Sequence, residues 1–303
     1  MAEYKGIKGF KVQSLASDPT LVEGQVWYNT TGNALKYTGI AAGAWASGGA
    51  LNTGRNSAGM SVAGTTTATL NFGGATNKNI NEEYDGTSWT EKNNLTTGRE
   101  TLAGAGTTTA ALAFGGTTGT RTGVTEKWDG TSWTEANDLT TARNQLAGCG
   151  TQTAALGFGG FGPSPPDGVR DLTEKWDGTS WSEVNDLNTA RRALAACGTN
   201  AAALAFAGGP PNVVSTETYD GTSWTSVNNL NTARESPGGG GTNTSALCFG
   251  GYSTLSDTVT EEYDGTSWTE VANLATGRYA LSGCGQTQAA VLATGGSPTI
   301  AST

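Results

Sequence analysis

The chain has 303 residues, 36% of them hydrophobic, and carries a net charge of −9 with an isoelectric point near 4.6. That length supports a substantial core, whereas 17 scattered Lys and Arg against 26 acidic residues exclude a nucleic-acid partner, because phosphate binding needs a basic patch. Forty-six glycines amid many Thr, Ser and Asn suit short strands joined by tight turns, and no apolar run approaches the 18 residues of a membrane helix.

The first residues, MAEYKGIKGFKVQSLASDP, lack the apolar core and small-residue cleavage site of a secretory signal, so synthesis in a cytoplasm without membrane insertion is expected. Next comes DPTLVEGQVWYNTTGNALKYTG (18–39), in which GQVWYN and LKYTG read as a strand pair. This segment resembles virion and tail-fibre proteins of tailed bacteriophages, in which a short strand pair precedes an adhesive or structural domain. The resemblance implies that residues 1–24 form an arm docking onto another particle protein.

From Trp45 onwards the sequence repeats. Tryptophans stand at Trp45, Trp89, Trp133, Trp181, Trp224 and Trp268, and each is followed ten residues later by an arginine: Arg55, Arg99, Arg143, Arg191, Arg234 and Arg278. A glycine pair follows each arginine, at Gly73-Gly74, Gly115-Gly116, Gly159-Gly160, Gly208-Gly209, Gly250-Gly251 and Gly295-Gly296. A period of 43 to 48 residues with these marks fits a four-stranded propeller blade better than a helical solenoid. TAALAFGG (109–116) reads as a buried strand with a sharp exit, and TEKWDGTSWTE (125–135) as an outer hairpin around an Asp-Gly turn. Each unit thus has a first strand after the arginine, a second ending at Gly-Gly, a third ending at Tyr or Trp and a fourth carrying the repeated Trp.

The pattern of an arginine, an apolar strand closing on Gly-Gly, a Glu before Tyr or Trp and a later Trp resembles the kelch repeat over residues 34–303. The resemblance implies an all-β, six-bladed propeller with four-stranded blades. The last Gly-Gly is followed only by SPTIAST, so residues 25–45 are expected to complete the blade formed by 279–296, giving a propeller domain over 25–303. Each repeated Trp is expected to pack between blades. Each arginine is expected to form a buried ion pair with Glu82, Glu126, Glu174, Glu217 or Glu261, while Leu35 fills the glutamate slot of the sixth unit; an arginine ring binding an anion is the alternative.

Catalysis finds little footing. Copper oxidases of the kelch type need histidine ligands and the chain has none. Asp85, Asp129, Asp177, Asp220 and Asp264 belong to the DGTSW turns, and no P-loop, serine elbow or Cys/His cluster occurs. Cys149, Cys197 and Cys284 occupy a repeat position that holds Ala105 in another copy, as small buried fillers do. No cofactor or metal site is expected.

The copies differ most between Gly-Gly and the next Tyr or Trp, and those loops share one face with the loops leading into each arginine. The candidate binding residues there are Phe161, Pro163, Pro165, Pro166 and Arg170, then Pro210, Pro211 and Tyr252. These features point to a non-enzymatic virion protein of a tailed phage, at the tail, that uses a propeller as interaction platform. Its partners are other virion proteins and a host-surface glycan or protein, and homo-oligomers in the particle are compatible. Capsid decoration and a bacterial kelch-type interaction module remain open, as does, from another class, a carbohydrate-active enzyme.

Overall fold

The computed structural model describes residues 13–15, 26–29, 34–37, 44–75, 78–163 and 168–298. The chain divides into two units, residues 1–44 and 45–303. In the first, β1 (Gln13–Leu15) runs parallel to β2 (Val26–Asn29), which pairs antiparallel with β3 (Ala34–Tyr37).

The second unit is a β-propeller. Blade one comprises β4 (Gly59–Met60), β5 (Thr69–Phe72), β6 (Asn81–Tyr84) and β7 (Trp89–Lys92). Blade two comprises β8 (Ala103–Gly106), β9 (Ala111–Phe114), β10 (Thr125–Trp128) and β11 (Trp133–Ala136). Blade three has β12 (Ala147–Thr151) and β13 (Ala154–Phe158), then a small hairpin of β14 (Phe161–Gly162) and β15 (Gly168–Val169), then β16 (Thr173–Trp176) and β17 (Trp181–Val184). Blade four is built from β18 (Ala195–Thr199), β19 (Ala202–Phe206), β20 (Thr216–Tyr219) and β21 (Trp224–Val227), and blade five from β22 (Gly238–Thr242), β23 (Ser245–Phe249), β24 (Thr260–Tyr263) and β25 (Trp268–Glu270). A last pair, β26 (Ser282–Thr287) and β27 (Ala290–Thr294), stands alone.

Among the described residues the propeller therefore has five four-stranded blades rather than six. Among the described residues β26 and β27 pair only with each other, and the described strands of 25–45, β2 and β3, belong to the three-stranded sheet of the first unit. The rest of the expected closing segment, residues 25, 30–33 and 38–43, lies outside the described residues, as does most of the arm, residues 1–12 and 16–24.

The innermost ring of strands is continuous across the last pair. The first strand of each blade is innermost, and β26 lies between β22 and β4. Ser282 Oγ donates to the Ala58 carbonyl at 2.9 Å and Gln286 Nε2 to the Ala63 carbonyl at 2.8 Å. Trp45 reaches the other side of this gap, its ring 4.9 Å from that of Phe249 and its Nε1 donating to Thr260 Oγ1 at 3.1 Å. The same arrangement recurs between complete blades: Trp133 against Phe72, Trp181 against Phe114, Trp224 against Phe158 and Trp268 against Phe206, with centroids 4.7 to 5.1 Å apart. The core is thus a set of interfaces between neighbouring blades.

Innermost strands crowd the axis, which explains their Ala-Gly composition. A Cβ on Gly104 would stand 2.2 Å from the Met60 carbonyl oxygen, and one on Gly148 2.4 Å from the Phe114 ring. Cysteine fits the alternate positions at Cys149, Cys197 and Cys284; these three, and Cys248 on the second strand of blade five, are buried free thiols, and burial pushes Cys149 and Cys284 up to about 12.

The glycine pairs fix how each blade meets the next. Gly74, Gly116, Gly160 and Gly251 donate their amides to the carbonyls of Arg99, Arg143, Arg191 and Arg278, each the arginine of the following unit, at 2.9 to 3.0 Å. In blade four the residue making this bond is Gly208, to Arg234. The structural pair there is Ala207-Gly208, one position earlier than the Gly208-Gly209 read from the sequence. Ala207 adopts φ 60°, where blade two has Gly115 at 67°. An L-residue is disfavoured in this conformation. Ala207→Gly is expected to raise stability by about 0.5–1 kcal/mol, measured as an upward shift of the urea midpoint at constant m-value.

Candidate functional site

Antiparallel strands return the second-to-third loops and the loops entering each first strand to one end of the propeller, here called the upper face. The repeated arginines secure that end. Arg55 pairs with Glu82 at 2.6 Å, Arg99 with Glu126 at 3.1 Å, Arg143 with Glu174 at 2.6 Å, Arg191 with Glu217 at 3.0 Å and Arg234 with Glu261 at 3.1 Å, all fully buried. Each glutamate also accepts a backbone amide from the linker entering its blade, those of Asn52, Thr96, Thr140, Asn188 and Asn231, at 2.7 Å. Burial pulls Arg99 and Arg191 down to about 10, and the facing carboxylates oppose the shift, so the guanidiniums stay charged at neutral pH. Arg278, in the last unit, donates to the Gly295 carbonyl at 3.1 Å. The arginines are engaged within the blades, and an anion-binding arginine ring is not what they form.

Two residues beyond each arginine the chain makes a closed belt. Ser57, Thr101, Gln145, Ala193, Ser236 and Ala280 all have φ between 51 and 58°. The amide of each donates to the carbonyl of its counterpart in the preceding unit, and Ser57 donates to Ala280, at 2.7 to 2.9 Å throughout. The belt encircles a funnel of about 440 Å³. Its wall carries the hydroxyls of Ser57, Thr101 and Ser236 and the amide of Gln145, and its rim carries Glu235 and the edge-to-face pair Tyr252 and Tyr279, 5.3 Å apart. Below it the channel tightens between the Ala and Gly of the innermost strands.

The residue between arginine and belt takes four kinds over six positions: Asn56, Glu100, Asn144, Arg192, Glu235 and Tyr279. Five of these bridge to the residue just past the next glycine pair, Ala207-Gly208 standing for it in blade four, as Glu100 to Thr117, Asn144 to Phe161, Arg192 to Gly209, Glu235 to Tyr252 and Tyr279 to Ser297. The variable positions of both loop sets therefore form one continuous rim. Sequence reasoning missed this ring; its signal is a non-repeating position held between two repeating ones.

Of the sequence candidates, Phe161 is half-buried and lies under two guanidiniums, those of Arg121 at 4.3 Å and Arg192 at 5.1 Å from its centroid. Arg170 donates to the Pro163 carbonyl. Pro165 and Pro166 lie outside the described residues. Pro210 and Pro211 are exposed, and the neighbouring Asn212 donates to the carbonyls of Tyr252 and Ser253 at 2.8 and 3.1 Å, joining the rims of blades four and five. Tyr252 and Leu255, 39% and 74% exposed, present apolar surface beside the funnel.

The opposite end carries the DGTSW turns. Each Asp accepts amides from the residues two and three further on, as Asp129 does from Thr131 and Ser132 at 2.8 Å. These bonds hold all five carboxyls, Asp85, Asp129, Asp177, Asp220 and Asp264, below their ordinary 3.8. With folded-state values depressed, the unfolded chain binds protons first as pH falls, so the stability they contribute is present above pH 4 and disappears below it. The melting temperature is expected to drop between about pH 5 and pH 2, and Asp129→Asn to flatten that drop in calorimetric scans.

No protein-family model matches the sequence, and no curated protein does. Among solved structures the chain is similar to that of YjhT, a kelch-type propeller, with a TM-score of 0.70 at 13% identity over 84% of this chain and 94% of that one. This likeness establishes the propeller fold.

Proposed function

We propose that the chain is a non-enzymatic interaction platform of a tailed-bacteriophage particle, placed at the tail, which meets the host surface or neighbouring virion proteins through the upper face of its propeller. The observation that carries the platform reading is the rim: repeated units hold Asn56, Glu100, Asn144, Arg192, Glu235 and Tyr279 in equivalent places, four chemistries on one frame. A repeat that preserves its frame and varies one ring of side chains makes a surface for recognition. The particle assignment draws on the likeness of residues 18–39 to tail-fibre segments, with residues 1–24 as the docking arm. Against an enzyme stands the engagement of the repeated acids, the glutamates in buried pairs and the aspartates in turns.

The test is cryo-EM and mass spectrometry of native particles from the source of the sequence. The chain is expected in the particle, as a disc at the tail or baseplate. A disc on the shell replaces tail attachment by capsid decoration. Absence from particles overturns the virion reading and leaves a free interaction module of the kelch type, which the likeness to YjhT fits equally well.

A further inference from the structure

We propose that the axial funnel of the upper face binds an amino sugar, held by its protonated amine. This rests on the upper face being the binding face, and it adds the chemistry of the ligand. The funnel, about 440 Å³, has room for one sugar ring and its substituents. Among the described residues Glu235 is the only charged one that lines it, half-buried at the rim and in no ion pair. Arg192, the rim residue before it, lines the neighbouring recess instead, its guanidinium 5.1 Å from the Phe161 centroid. A single carboxylate facing a cavity, in a chain of net charge −9, favours a cation there and repels an anion.

Two aromatic rings stand beside that carboxylate. The Glu235 amide donates to the Tyr252 carbonyl at 3.0 Å and the Tyr252 amide to the Glu235 carbonyl at 2.8 Å. Directly opposed in this bridge, the two side chains emerge on the same side of it. Gly209 leaves the space that the acid occupies, since a Cβ there would stand 2.7 Å from Glu235 Oε2. Tyr279 meets Tyr252 with planes at 61°, which leaves Tyr252 exposed and its ring available to an ammonium group and to the apolar face of a sugar. Hydroxyl chemistry then separates a sugar from a bare ammonium. Among the described residues the hydroxyls of Ser236, Tyr252 and Tyr279 line the funnel and make no hydrogen bond within the chain. Each donates and accepts, as sugar hydroxyls do. A lysine tail answers the carboxylate and leaves the hydroxyls; a neutral sugar answers the hydroxyls and leaves the charge; an amino sugar answers both.

The experiment is isothermal titration of the full chain with glucosamine, N-acetylglucosamine, glucose and butylamine, at mildly acidic pH where the amines are protonated, and at low and high salt. Glucosamine is expected to bind at least tenfold more tightly than the other three, and to weaken as salt is raised. Glu235→Gln is expected to lower its affinity at least tenfold, to the level of glucose, and Tyr252→Ala at least fivefold, each in protein whose melting temperature is unchanged. Glu270→Gln, which removes the same charge from the outer strand β25, should leave it within twofold. Butylamine binding as tightly as glucosamine reassigns the funnel to a bare ammonium and overturns the saccharide. Equal binding of glucose or N-acetylglucosamine, no binding of glucosamine, or binding indifferent to Glu235→Gln and Tyr252→Ala overturns the site. Particles that contain the chain while it lacks glucosamine affinity defeat this inference alone, and glucosamine affinity without incorporation into particles defeats the virion reading alone.

Discussion

Replacing Glu174 by alanine is expected to lower the free energy of unfolding by about 3–5 kcal/mol. The carboxylate answers three donors, Arg143 Nη1 at 2.6 Å and the amide and hydroxyl of Thr140 at 2.7 and 2.8 Å. Its removal leaves a guanidinium with no solvent access and no counter-charge, and detaches the linker that enters blade three. The loss should be far smaller when both charges go together, as in Arg143→Met with Glu174→Leu, because a buried pair returns little more than its own desolvation. Chemical denaturation of the two single variants and the double variant checks this: a double variant as damaged as the sum of the singles would show that the pair is not acting as a unit.

Trp181→Ala is expected to cost about 3–5 kcal/mol, because it opens the seam between blades two and three. The indole packs 4.7 Å from the Phe114 ring and donates its Nε1 to Thr125 Oγ1 at 3.0 Å, both on the neighbouring blade. The cavity would be lined by Phe114 and Trp176, which cannot collapse into it while their sheets hold their register. Thermal unfolding should show the drop, and Trp181→Phe, which keeps most of the volume but drops the hydrogen bond, should recover more than half of it.

Blade architecture was legible because every level of the repeat agrees: alternating strands, an Asp-Gly turn, and an arginine and glutamate at matching places. Two features were not. The expected sixth four-stranded blade assumed that residues 25–45 would pair with the final strands, but the described strands of that segment join β1 in a three-stranded sheet, and pairing of that kind leaves no mark in the pattern of apolar residues. The glycine pair of blade four was placed one residue late, since Ala207 takes a conformation for which glycine is the usual sign. The candidate site was half legible. Phe161 and Tyr252 stood out in loops of unusual length, whereas Arg121, Arg192 and Tyr279 become neighbours of those residues only when strands far apart in sequence are brought side by side.

The belt from Ser57 to Ala280 is a cycle, and a cycle has no end at which to fray. In an open array of the same units the outermost one detaches by giving up a single seam, and unfolding starts there. Here each belt residue is donor to one neighbour and acceptor from the other, so lifting out any unit breaks two seams and two bonds at once. Loss of one blade is then tied to loss of the whole, and a rim carried on such a frame keeps its spacing until the entire ring gives way.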